Sequence, residues 1–259
     1  MPDFDFSSPE LQIFFLIFLR VSAIIATAPL FDNRSIPIIF KAGLALSVSI
    51  LLLPILDIDA VIFPSQITPF AIGVASEIML GLIIGFSVKL IFSGIQLAGQ
   101  FAGFQMGFAI VNVMDPMTST QAPVISQFKY QIAMLIFLSI NAHHWFLKAI
   151  VDSFRLVAPL SFQLNGSLVE HLMKISGNMF VIAVKVAAPI IAALLLTTVA
   201  LGMIARTVPQ MNIFIVAMPL KIIIGLIFFC ITLPYLSMFF VNLFKGLGNN
   251  IFLILELAG

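Results

Sequence analysis

The chain has 259 residues, 61% hydrophobic and 9% charged, with a net charge of +1. A soluble domain carries about 25% charged residues, so this chain lacks the polar groups to cover a water-facing surface and reads as an integral membrane protein. Nothing in the near-neutral balance points to nucleic acid or an acidic partner, and the single cysteine excludes an internal disulfide.

The N-terminal stretch MPDFDFSSPELQ carries Asp3, Asp5 and Glu10 but no Lys or Arg. That is the wrong sign for the n-region of a signal peptide, so the first apolar segment is expected to stay in the mature protein. Six apolar stretches follow, at about 11–31, 36–56, 69–92, 125–150, 177–204 and 211–241. Each is long enough to span a bilayer, which takes roughly 20 residues. The runs are continuous rather than alternating, which argues against barrel strands. Backbone hydrogen bonding in lipid then leaves helices. The expected fold is an all-α integral membrane protein, one helical domain over 1–259 without a soluble domain.

Lys and Arg in short loops set the orientation. Arg34 and Lys41 lie at the first linker, Lys89 and Lys129 flank the third, and Arg206 lies in the fifth. This pattern predicts six spans with both termini outside. The fourth linker runs against it, with Lys148, Arg155 and Lys174 on the predicted outer side.

Arg20, Lys41, Glu77, Lys89, Lys129, Lys185 and Lys221 sit inside or at the edge of apolar runs. Each costs roughly 2.5–3.5 kcal/mol at a helix centre on insertion scales. Lys41 and Lys221 lie near helix ends and can snorkel. Glu77 and Lys185 are harder to place. Either they make polar contacts buried between helices, or their helices face protein or water for much of their length.

The third segment repeats Gly73, Glu77, Gly81, Gly85 and Lys89 at four-residue spacing, one slowly drifting stripe on a helix. Gly99, Gly103 and Gly107 continue the pattern in a stretch that Gln96, Gln100 and Gln105 make too polar for a lipid-facing span. Small residues at this spacing admit a close helix neighbour, within the chain or from another one. After Gly107 comes FAIVNVMDPMTSTQAP. Asp115–Pro116 and Pro123 break helix. Phe108, Ile110, Val111, Val113 and Met114 are unusually apolar for an exposed linker. This segment is either a cytoplasmic loop or a loop folded back into a cavity, where methionines make a deformable seal.

His143–His144–Trp145 has no acid or cysteine at ligand spacing and reads as an interfacial belt rather than a metal site. Cys230, inside IIIGLIFFCITLP, reads as a packing residue, and His171 as solvated. No P-loop, dinucleotide fingerprint or hydrolase elbow appears, so the reading is non-enzymatic, with no cofactor and no metal.

The stretch GMIARTVPQMNIF packs Arg206, Thr207, Pro209, Gln210 and Asn212 between two apolar runs. A helix is predicted to end near Ala205, because Pro209 lacks an N–H and disfavours helical geometry at Val208. Asn212, or less well Gln210, can cap the next helix. Arg206 suits a C-terminal helix turn and the cytoplasmic face. These features make an ordinary hairpin and demand no function.

The longer run GMIARTVPQMNIFIVAMPLKI, Gly202 to Ile222, strongly resembles the signature of the FliR family of flagellar type III export-gate proteins. The segment GFQMGFAIVNVMDP, Gly103 to Pro116, is similar to the same family, and the order of apolar segments agrees along nearly the whole chain. The Thr-Val between Arg206 and Pro209 resembles the flagellar branch rather than the injectisome branch.

This resemblance implies a subunit of a protein-conducting gate in the bacterial inner membrane, within the flagellar basal body. It would assemble with FliP and FliQ, near FlhB and FlhA, and pass unfolded flagellar subunits. It implies bent helical hairpins covered by neighbours, which would account for Glu77, Lys185 and the glycine stripes. It also implies that a loop plugs the closed pore. By position that loop is about 107–121, with Phe108, Ile110, Val111 and Met114 as candidate sealing residues. Arg206, Pro209, Gln210 and Asn212 map to the family's cytoplasmic hairpin tip. Two other readings stand beside it: a small-molecule or ion transporter, resting on Glu77 and Lys89, and a purely structural assembly factor.

Overall fold

A computed structural model of the chain describes residues 9–31, 36–56, 66–108, 124–208, 210 and 212–259. The described residues form eight helices: α1 (Pro9–Thr27), α2 (Ile38–Leu52), α3 (Ile67–Met106), α4 (Val124–Ser139), α5 (Ala142–Leu156), α6 (Gly166–Thr207), α7 (Ile213–Lys245) and α8 (Leu247–Ala258). The molecule is an all-α membrane protein.

The division into six comparable spans needs correction. The apolar segment 69–92 and the glutamine-bearing stretch after it are one helix, α3, of 40 residues. At 1.5 Å rise per residue it is about 60 Å long, twice the hydrocarbon thickness. The segment 125–150 is two helices, broken where Asn141 takes a left-handed conformation with φ 56°. Asparagine is one of the few side chains that tolerate it. The fifth span starts earlier than its apolar run does, because Asn165 caps α6: its Oδ1 accepts the Leu168 N–H at 2.9 Å. α3, α6 and the α7–α8 run are each long and apolar enough to cross a membrane, and the α4–α5 pair qualifies as a fourth if it is one broken span. α1 and α2 are apolar but shorter.

The chain divides into two compact units. The first contains Met1–Leu90, Asn141–Ile175 and Phe244–Gly259, and the second Ile91–Ile140 and Ser176–Leu243. α3 and α6 contribute to both. In the first unit, α1 pairs with α2, and α5 with α8. Its core holds Leu16, Ile17, Val21 and Ile24 from α1, Leu80, Ile84 and Val88 from α3, and Phe146, Ile150, Phe154, Ile251 and Leu255 from α5 and α8. The near four-residue spacing on every helix is the buried stripe of an amphipathic packing face. The segment joining α5 and α6 also ties down α8, since Gln163 N–H donates to the Ala258 carbonyl at 3.1 Å and Asn165 Nδ2 to that of Leu257 at 2.7 Å. In the second unit, Ala102, Met106, Ile125, Ile190, Leu194 and Phe229 form one buried cluster.

Candidate functional site

The α3 stripe is the spine of the first unit. A Cβ on Gly81 would stand 2.7 Å from both the Ala23 Cβ and the Arg20 carbonyl oxygen, and one on Gly85 would strike the Thr27 side chain. Glycine at both positions lets α3 lie directly on α1. Glu77, one turn before Gly81, is fully buried and meets Arg20 of α1, also fully buried. Arg20 Nε donates to Oε2 at 2.6 Å and Nη2 to Oε1 at 3.0 Å, a bidentate pair. Oε1 also accepts the Leu160 N–H at 2.8 Å. Arg20 Nη1 donates to the carbonyls of Ser153 and Val157, at 2.7 and 3.0 Å, where α5 ends. Its guanidinium centre lies 4.2 Å from the Phe154 ring centroid. One ion pair therefore joins α1, α3, the end of α5 and the turn after it. Leu160 has φ 67°, and its side chain fills the space left open by Gly73.

Sequence reasoning marked both Glu77 and Arg20 as charges in apolar runs but did not pair them. The signal was present: two opposite charges in different apolar segments each need a protein neighbour. The other predicted buried charges differ. Lys89 is half-buried, and Lys185 is exposed, which corrects its assignment as a buried charge. Lys129 is the buried lysine, 1% exposed, with its Nζ 3.4 Å from the Val186 carbonyl. That carbonyl lies three residues before Pro189, whose missing N–H interrupts the ladder of α6.

In the second unit the end of α3 and the start of α4 form a closely packed stem. A Cβ on Gly99 would collide with the backbone of Ser126, and Ser126 Oγ donates to the Gln96 carbonyl at 2.7 Å. Gly103 is buried, so it suits the same seam. Gly107 does not belong to it. A Cβ there would meet nothing within 4 Å, and its φ is +97°. It ends the helix: Phe108 N–H donates to the Gly103 carbonyl and Gly107 N–H to that of Phe104, both at 3.1 Å. This is the Schellman pattern, in which a left-handed glycine satisfies the last carbonyls. Its companion Phe108 packs on the cluster of Met106, Ile125 and Phe229. Phe108 thus anchors the departing chain to the core. Ile110, Val111, Met114, Asp115 and Pro116 lie outside the described residues, as does Pro209.

At the other predicted tip, α6 continues to Thr207, two residues past the expected end. Arg206, Gln210 and Asn212 are all exposed. The Asn212 carbonyl accepts the Ile215 N–H at 3.2 Å, as the residue opening a helix does. Cys230 is exposed on α7 rather than packed, and His171 is half-buried within α6 rather than solvated in a linker. Among the described residues no three His, Cys, Asp or Glu side chains are grouped as metal ligands.

These features define a class: a helical membrane protein with helices longer than a bilayer, tied by glycine seams and a buried ion pair. A family model for bacterial export proteins, family 1, matches residues 11–247. The flagellar biosynthetic protein FliR of Bacillus subtilis (strain 168) is 35% identical over 255 residues, covering 95% of each chain. Its counterpart in Escherichia coli (strain K12) is 31% identical over 240 residues, covering 92% of this chain and 91% of the relative. That of Pectobacterium carotovorum subsp. carotovorum is 32% identical over 241 residues, covering 90% and 88%. The chain belongs to this family of bacterial export proteins, the FliR family.

Proposed function

We propose that the chain is a non-enzymatic subunit of the flagellar protein export gate, assembled with FliP and FliQ in the inner membrane and meeting FlhB and FlhA at its cytoplasmic tip. Family membership and the name shared by the relatives support the coarser part, a component of the flagellar export apparatus. The α3–α4 stem carries the finer part. It is clamped at Gly99 and closed by the helix end at Gly107, which supports a firm base for the plug loop proposed at about 107–121. Ile110, Val111 and Met114 are the sealing side chains of this reading, and unfolded flagellar subunits are the cargo.

The ion-transporter reading loses its main support at Glu77, whose two oxygens are engaged by Arg20 and Leu160 and have no solvent exposure. The sealing role is tested by deleting 110–114. The gate should still assemble, but cells should leak small solutes, and a stalled export substrate should crosslink to single cysteines placed at Val111 or Met114 in the full-length chain. An unchanged barrier with no crosslink would overturn the sealing role.

A further inference from the structure

The first unit carries a groove of about 290 Å³ between α5, α8 and the last residue of α7. On α5 it is lined by Trp145, Lys148 and Asp152, spaced three and four residues apart on one helix face. Asn249 and Phe252 line it from α8, and Lys245 closes α7 beside it. Lys148 and Lys245 are exposed, Asp152 is half-buried, and none of the three side chains makes a hydrogen bond or ion pair among the described residues. The groove therefore presents two ammonium groups, one carboxylate and an apolar wall from Phe252 and its buried neighbour Ile251.

We infer that this groove binds an anionic phospholipid. The two lysines, from different helices, take the phosphate. Asp152 accepts a hydrogen bond from a hydroxyl of the headgroup. The apolar wall takes the start of an acyl chain, which inorganic phosphate would leave uncovered. Tryptophan and lysine together mark the level of a membrane interface, and basic pockets between helices hold acidic headgroups. Lys148 is one of the positive charges that fit no simple orientation rule, and a lipid partner gives it a reason to be there.

Trp145 is the sole tryptophan of the chain, so its emission reports on the groove. The full-length protein in an uncharged detergent is titrated with phosphatidylglycerol, with phosphatidylcholine and with inorganic phosphate. Phosphatidylglycerol should give a saturable change, phosphatidylcholine a response at least about tenfold weaker, and phosphate none. The double variant Lys148→Gln/Lys245→Gln should weaken the phosphatidylglycerol midpoint about tenfold. Lys174→Gln, a change at an exposed lysine of the same unit outside the groove, should leave it unmoved. Equal responses to the two lipids, an unmoved midpoint in the double variant, or an equal loss in the Lys174 variant would overturn the site. The same saturable change with phosphate alone would replace the lipid with a free anion and equally overturn it.

Discussion

At Glu77 and Arg20 two charges are fully buried in a chain with little polar surface, and the structure shows how they are tolerated. Desolvating an ion pair costs several kcal/mol per ion and is offset only when the remaining donors and acceptors are met. Here four of the guanidinium's N–H···O contacts reach a carboxylate or a carbonyl, and the carboxylate takes a backbone N–H as well. Removing one partner leaves the other buried and unpaired. Glu77→Ala or Arg20→Ala should therefore destabilise the protein by about 3–5 kcal/mol. The double change Arg20→Met/Glu77→Met should cost less than the sum of the two single changes. Thermal unfolding in detergent reads all of these, and strictly additive losses would show that the pair is not coupled.

At the scale of elements, two glycines, one inside α3 and one just past its end, do different work. Gly99 has no side chain because the Ser126 backbone occupies the space, so Gly99→Leu should force α3 and α4 apart and sharply lower the yield of folded protein. Gly107 sits in open space with a positive φ, so Gly107→Ala should cost only about 1–2 kcal/mol of backbone strain and leave folded yield near normal. Size-exclusion profiles of the two variants in detergent separate the cases, and equal losses would contradict this division. The four-residue glycine spacing was legible because helical periodicity puts such residues on one face. The end of the seam was not, because a packing glycine and a left-handed terminal glycine look alike in a string of letters.

Across the whole molecule, the long helices expose apolar surface, and on α6 that surface carries a charge. On α6, Lys185 lies in line with exposed Val181, Leu196, Val199 and Met203, near the middle of a 42-residue helix. Lipid suits the apolar residues and penalises the ammonium, whereas a neighbouring protein with a carboxylate suits both. If the chain assembles with FliP and FliQ as proposed, Lys185→Glu should abolish co-purification with them, and Lys185→Arg should preserve it. Unchanged complex yield in the Glu variant would show that Lys185 meets no acidic partner.

Composition and the continuous apolar runs by themselves determined that the chain is helical and membrane-embedded, because lipid leaves few backbone solutions. The break between α6 and α7 and the run Gly202 to Ile222 that carries the family resemblance were also legible without a structure. Only the tertiary structure decided which charges are buried. Arg20 and Glu77 lie 57 positions apart and share a site, while Lys185 carries the same local signal and faces outward. Insertion cost depends on the residue and its depth, but burial depends on which helix lies opposite, and no periodicity within one segment encodes that. The same reason hid the groove at Trp145, whose two lysines belong to helices far apart in the chain and meet only when α5 and α8 pack.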